Sequence, residues 1–363
     1  DGGGYDRINL QTTIDANLLD GLTLSSSVNY IKEMRNFTAM NLFHSNYYYA
    51  IYDSDPRYPL HFPDRSRLSY AGSSYGNALF VSSKSLAGYS SNNNHSFRVN
   101  GSLTYDIKKI EGLKLKAFVN YNGYQGFSKL FRNQPDFYSY NSATGDYIFE
   151  RKAQDPTVLS QGGSYSEDFT QQYSISYDKT FNTDHIFSAL LLHERINYKN
   201  EGFDTQRGNF KTSTIDQLFA GDPTTASNDG KASEMGRSSY VSRLNYSYKN
   251  KYLIETIFRA DASAKFPKDG RWGFFPSISV GWVLSEEHFM DNFQACDNIK
   301  IRGSFGQSGD DGIGNYQYYA GYAFDMSYIL GNEIIQGIYS TGLANSILSW
   351  EKISIYNLGV DYS

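Results

Sequence analysis

The feature that most restricts the fold of this chain is a two-residue alternation kept up over long segments. Ile8, Leu10, Thr12, Ile14, Ala16 and Leu18 take every second position, and Arg7, Asn9, Gln11, Thr13, Asp15 and Asn17 take the others. After a Leu19-Asp20-Gly21 corner the pattern resumes with Leu22, Leu24, Ser26, Val28 and Tyr30. Successive side chains of a strand point to opposite sides, so each segment forms a ribbon with one apolar and one polar face. Typical globular strands run to about five or six residues. These are longer, and a chain that makes many of them needs two different solvents.

The same period predicts strands over 5–18, 22–34, 95–107, 113–124, 167–180, 185–197, 238–248, 252–262, 271–284, 299–307 and 349–363, about eleven in all. Phe97, Val99, Leu103 and Tyr105 alternate with Arg98, Asn100, Ser102 and Thr104. Tyr252, Ile254, Thr256, Phe258 and Ala260 alternate with Glu255, Ile257, Arg259 and Asp261. Only 185–197 is ambiguous, because Leu190, Leu191 and Leu192 blur its faces. The connections alternate as well. Short turns fall at 19–21, 108–112, 182–184 and 249–251, and long polar stretches at 35–94, 125–166, 198–237 and 308–348. The short 263–270 link breaks the pattern, and 285–298 has room for one helical turn.

Segregated turns and loops, with strands that reach the ~9–11 residues a tilted membrane crossing needs, are the marks of an outer-membrane β-barrel. The composition agrees: 32 Tyr and 24 Phe against 8 Pro suit strands. The mean hydropathy of -0.53 would suit a soluble protein. No apolar run approaches the ~18 residues of a membrane-spanning helix, but a barrel needs none. A net charge of -5 argues against nucleic acid, and Cys296, the single cysteine, excludes an internal disulfide. On the apolar face, Tyr105, Tyr177, Tyr248, Tyr252 and Trp282 lie beside short turns, and Tyr30, Phe97, Tyr121, Phe169 and Phe274 beside long loops. Two such belts are expected at the headgroup levels, although aromatic residues are common in any strand.

The residues from 240 onward carry a resemblance. Arg271 to Met290 reads RWGFFPSISVGWVLSEEHFM; Gly306-Gln307-Ser308-Gly309 and Ile313-Gly314-Asn315-Tyr316 follow, and Trp350-Glu351-Lys352 leads to Asn357-Leu358-Gly359-Val360-Asp361. These stretches resemble the SusC-like branch of the TonB-dependent outer-membrane transporters of Bacteroidetes. The first 235 residues match in pattern more than in motif. The resemblance implies an all-β fold: a transmembrane antiparallel barrel of about 22 strands around a plug domain. It also implies import of oligosaccharides or peptides with a SusD-like surface lipoprotein as lid, energised by TonB-ExbB-ExbD through an N-terminal segment. No plug, TonB-contacting segment or closing strands are legible here. About eleven strands are half of such a barrel, and half a barrel leaves backbone edges unsatisfied in lipid. Residues 1–363 are therefore expected to be an internal part of the barrel domain of a longer protein.

Candidate binding residues come from the loops. Tyr47, Tyr48, Tyr49, Tyr52 and Tyr58 crowd the first long loop. Phe137, Tyr138 and Tyr140 sit in the second, and Tyr316, Tyr318, Tyr319 and Tyr322 follow the glycine-rich stretch. Aromatic rings stack on sugars, but they equally pack loops onto one another, onto a plug or onto a lid. A second set comprises the charges Arg98, Lys114, Lys116, Arg243, Glu255, Arg259, Asp261, Lys300 and Arg302, expected to face a wet interior and pair there with a plug or with each other. Catalytic patterns are weak. Gly306-Gln307-Ser308-Gly309 ends in Asp310 where a nucleophile elbow needs Gly, and Gly312-Ile313-Gly314 lacks the third dinucleotide-binding Gly. The six His lack ligand spacing; Asp53, Asp55 and Asp64 could bind Ca2+, yet the residues between them fit no calcium-loop pattern. The chain is not expected to be an enzyme or to hold a cofactor. Active import leads; a passive porin-like barrel, and a surface adhesive or glycan-binding β protein, are the alternatives.

Overall fold

The computed structural model describes residues 3–40, 50, 52, 55–70, 77–290 and 297–363. Tyr47, Tyr48, Tyr49, Asp53 and Cys296 lie outside the described residues. The strands are β1 (Gly3–Leu19), β2 (Leu22–Thr38), β3 (Leu68–Ser69), β4 (Gly88–Asp106), β5 (Leu113–Arg132), β6 (Asp136–Asn141), β7 (Asp146–Lys152), β8 (Val158–Phe181), β9 (His185–Gly208), β10 (Asp222–Tyr248), β11 (Tyr252–Ser263), β12 (Trp272–Val283), β13 (Ile299–Asp310), β14 (Tyr322–Leu330), β15 (Glu333–Ser340) and β16 (Glu351–Tyr362). One 11-stranded sheet runs in the order β1-β2-β4-β5-β8-β9-β10-β11-β12-β13-β16, every neighbour antiparallel. All the strands expected from alternation are in it.

Several strands outgrow the expectation, always at the long-loop end. β8 and β9 have 24 residues each and β10 has 27. Much of what reads as loop at 125–166 and 198–237 is thus strand. The extensions are largely polar, as in Gly88–His95 (GYSSNNNH), and their scattered rings, such as Phe127 and Phe203, make no sustained alternation to read. The ladder continues because backbone pairing does not depend on apolar side chains. At ~3.3 Å per residue and ~40° of tilt, a 24-residue strand rises about 60 Å, roughly twice the hydrocarbon thickness. The 308–348 stretch holds the β14–β15 hairpin, and the 285–298 link begins with two 3-10 turns, Leu284–Glu286 and His288–Met290, rather than an α-helical one.

Register is continuous across the sheet, so faces can be followed strand by strand. Ala16, Leu24, Leu103, Ala117, Tyr173, His193, Tyr240, Ala260 and Phe274 form one row. Next to it runs Asp15, Ser25, Ser102, Phe118, Gln172, Glu194, Ser239, Asp261 and Gly273, on the other face. All ten belt aromatics named above share the apolar face. The leucine triplet resolves: Leu191 lies on the apolar face, and Leu190 and Leu192 on the polar one. On most strands the apolar set is concentrated in a window beside the short turn, such as Phe97 to Tyr105, Leu113 to Tyr121, Tyr240 to Tyr248 and Tyr252 to Ala260, with Phe127, Tyr165 and Phe203 standing above it on the same face. That window matches the ~9–11 residues of a tilted crossing.

The apolar face is not covered by protein. Leu191 is 58% exposed and Val280 51%. A strip this extensive is not kept in water by a soluble domain, and acyl chains are its natural solvent. The short turns are tight. Gly21 and Gly112 have φ of +80° and +89°, and a Cβ on Gly21 would stand 2.6 Å from the Asp106 carbonyl oxygen. Within the three-residue turns 182–184 and 249–251, Asn182-Thr183 and Lys249-Asn250 supply consecutive left-handed residues, a geometry that matches the twist of the flanking strands.

Candidate functional site

The register brings Arg98, Lys114, Lys116, Arg243, Glu255, Arg259, Asp261, Lys300 and Arg302 onto one face, opposite the apolar window. Most have local partners. The Arg243 Nε donates to Glu255 across the hairpin at 2.7 Å. Arg259 pairs with Asp261 of its own strand at 3.1 Å rather than with β10. Arg302 reaches Asp361 of β16 at 3.0 Å, Arg98 donates to Asn122 at 2.8 Å, and Lys114 stands 3.6 Å from Asp106. Lys116 and Lys300 have no ion-pair partner among the described residues. A depression of about 440 Å³ on this side is lined by Asn245, Glu255, Ser279, Lys300, Arg302 and Asn357. A broader trough of about 910 Å³ takes in Tyr105, Ile175, Leu191, Tyr240 and Phe258 of the apolar face, where its lining suits acyl chains rather than a polar solute.

At the long-loop end two connections fold onto each other. Leu68 and Ser69 pair in parallel with Phe137 and Tyr138, making a three-stranded sheet with β7. Ala50, Leu68, Phe80, Val81, Ala87, Phe137 and Ala153 are buried between them, with Phe80 edge-on to Phe137 at 5.4 Å. The buried Asn77 accepts from the Phe80 backbone N–H, which starts the helix Ala78–Ser82, and donates to the Leu60 and Ser69 carbonyls. Arg67 lies between the rings of Tyr138 and Tyr147, at 4.9 and 4.8 Å, and is held by Asp64 at 2.9 Å. Tyr140 packs on Tyr147 and Phe62. Tyr138 and Tyr140 are therefore packed parts of this cap. Tyr52 is 89% exposed and Tyr58 also faces solvent. Asp55 grips Arg57, whose hydrogen bonds pull its carboxyl down to about 2, and Asp64 serves Ser66 and Arg67. Neither carboxylate is left for a cation.

The motif residues converge on a different point, which sequence inspection did not single out. β10 overshoots β11, which ends at Ser263. Asp311, just after β13, closes the step. Its carboxylate is 4% exposed; it accepts from Arg237 Nε at 2.9 Å, from a second Arg237 nitrogen, and from Ser263 Oγ at 2.7 Å. Lys265 donates to the Asp311 carbonyl at 3.0 Å. Burial acts to raise the Asp311 carboxyl, but donation from Ser263 and Arg237 outweighs it and holds the group below its ordinary value. Nearby, Phe275 is buried against Trp350, whose indole N–H donates to the Arg271 carbonyl at 2.8 Å. A Cβ on Gly309 or Gly273 would collide with the Phe275 ring. Tyr316 adopts φ +65°, and its hydroxyl accepts from the Glu234 backbone N–H at 2.9 Å, while Asn315 donates to Ser233 Oγ at 2.7 Å. Tyr318 and Tyr319 form a ring pair at 4.2 Å. The tyrosines of the cap and those after β13 are thus two separate groups and not one site.

A curled antiparallel sheet with one lipid-compatible face and one charged face, and with loops grown on one side, defines a partial transmembrane β-barrel. The solved structure of the RagAB peptide importer in its open-open state has the same fold, with TM-score 0.76 and 17% identity over 99% of this chain and 38% of that one. The closed-closed state gives 0.75 and 18%. No family model matches the chain. In sequence the chain is 31% identical over 207 residues to TonB-dependent receptor P39 of Formosa agariphila, covering 54% of this chain and 19% of that protein. It is 37% identical over 132 residues to TonB-dependent receptor SusC of Bacteroides thetaiotaomicron, covering 34% and 13%. Sequence and fold together bear out the resemblance to the SusC-like TonB-dependent receptors. The chain spans about a fifth or less of the length of these two receptors.

Proposed function

We propose that this chain is part of the wall of an outer-membrane importer that takes up oligosaccharides or peptides. The observation that carries the reading is the single register in which a predominantly apolar window backs onto a face bearing Arg98, Lys116, Arg243, Glu255, Arg259, Asp261 and Arg302. Charges of this kind are tolerated beside a wet lumen and strongly disfavoured on the lipid side. In this reading residues 1–363 belong to the barrel domain of a longer protein. β1 and β16 each have an edge with no partner among the described residues, and in lipid every backbone group needs one. A plug and a TonB-contacting segment then lie elsewhere in the protein, TonB-ExbB-ExbD supplies the energy, and a SusD-like lipoprotein covers the long-loop side. The relatives are named as receptors and importers, which favours transport over catalysis.

Two measurements test this. The intact mass of the protein isolated from its own outer membrane should exceed the 41.1 kDa of these residues; a mass equal to it overturns the partial-barrel reading. Cells carrying the full-length protein should take up a fluorescent malto-oligosaccharide or oligopeptide only while the proton gradient is intact. Uptake that survives collapse of the gradient would make the protein a passive pore.

A further inference from the structure

On the apolar face of β9, His185, Phe187, Ala189, Leu191 and His193 are followed by Arg195, between Gln171 of β8 and Ser238 of β10. The ~10 residues from His185 to Arg195, at ~3.3 Å each and ~40° of tilt, climb about 25 Å, the height of a barrel's apolar band. Arg195 therefore stands at the far headgroup level, outside the hydrocarbon where a guanidinium is strongly disfavoured. It is exposed and makes no hydrogen bond or ion pair among the described residues. Beside it opens a trough of about 640 Å³ lined by Tyr121, Phe169, Arg195, Asn197, Lys199 and Tyr318. Two acids, Glu167 and Glu234, and a further cation, Lys265, which donates to the Asp311 carbonyl, also line it, and the acids are already engaged. Glu234 holds Lys199 at 3.4 Å, and Glu167 accepts from the Tyr165 and Tyr121 hydroxyls at 3.1 and 3.4 Å. The Arg195 guanidinium is the cation left over, and its planar fork suits a phosphate.

We propose that this trough binds a phosphate group of an anionic outer-leaflet lipid, with Arg195 as its principal contact. The inference rests on the outer-membrane reading above. A lipid is favoured over a free anion because the trough is continuous with the strip that acyl chains occupy. Arg195 makes the bidentate contact, Asn197 and Lys199 line the same trough, and Tyr121 and Phe169 border the acyl region.

The test uses the full-length protein in detergent and native mass spectrometry, with bis-phosphorylated lipid A, dephosphorylated lipid A and inorganic phosphate as probes. The wild type should retain bis-phosphorylated lipid A and not the dephosphorylated form. R195Q should retain it about tenfold more weakly, and R195K should fall between; heat-modifiable gel migration confirms that each variant is folded. Equal retention by R195Q, equal retention of dephosphorylated lipid A, or displacement of lipid A by millimolar inorganic phosphate would each overturn the proposal. Failure of the underlying reading looks different: the wild type would then stay dispersed without detergent and bind neither lipid.

Discussion

Removing the Asp311 carboxylate should loosen the long-loop end of β10 to β13. Three donor atoms converge on this 4%-exposed group, two from Arg237 and one from Ser263. In D311A the Ser263 hydroxyl, itself fully buried, loses its acceptor, at about 1–3 kcal/mol. The Arg237 side chain is 40% exposed and recovers water, so its share is nearer the ~1 kcal/mol of a partly solvated pair than the ~3–5 of a buried one. The expected loss is about 2–4 kcal/mol. Urea unfolding of the full-length protein in detergent, followed by tryptophan fluorescence, reports it, since Trp350 packs on Phe275 close by. A double-mutant cycle with R237Q should give a coupling of about 1 kcal/mol. A D311A protein within about 0.5 kcal/mol of wild type, or strictly additive single mutants, would refute the reasoning.

The same group sets an acid limit. Because the folded-state carboxyl lies below its ordinary value, its contribution is present above about pH 3.9 and is lost as pH falls through the lowered value. The stability gap between wild type and D311N should hold steady from about pH 8 to 5 and shrink below about pH 4, as measured by denaturant midpoints. Gly309→Ala should lower stability by about 1–3 kcal/mol through its collision with Phe275, and the companion change Phe275→Ala should relieve part of that; thermal melts of both decide. Leu191→Arg should impair insertion by about 2–4 kcal/mol in a vesicle-folding assay, whereas Arg at the neighbouring Leu192 of the polar face should be tolerated. Tyr138→Ala should expose the cap to limited proteolysis by freeing Arg67, and unchanged protease resistance would count against a packing role.

The spanning part of the fold was legible because lipid on one side and water on the other force a period of two. The windows Phe97 to Tyr105 and Tyr252 to Ala260 could hardly be read otherwise. The extensions above them were not legible, since Gly88–His95 and Ser160–Ser166 are largely polar and look like loop. Ladder hydrogen bonds hold them, and those leave no trace in side-chain pattern. The local pairing of Arg243 with Glu255 followed from their closeness on one hairpin, but the preference of Arg259 for Asp261 did not. Asp311 was missed for a plainer reason. Its partners Arg237 and Ser263 are far away in sequence, and only the overshoot of β10 past β11 brings them together. The aromatic clusters were visible, yet composition could not tell a ring that stacks on Arg67 from one that waits for a sugar.

The unequal strand lengths have a consequence at the long-loop end. β8, β9 and β10 rise as a stiff hydrogen-bonded wall, while β11, β12 and β13, with 12 residues each, stop at a sill. The rim of the sheet is therefore lopsided, a parapet along one flank and a doorstep along the other, so the connection after β13, with its β14–β15 hairpin, has to supply what height there is on the low side.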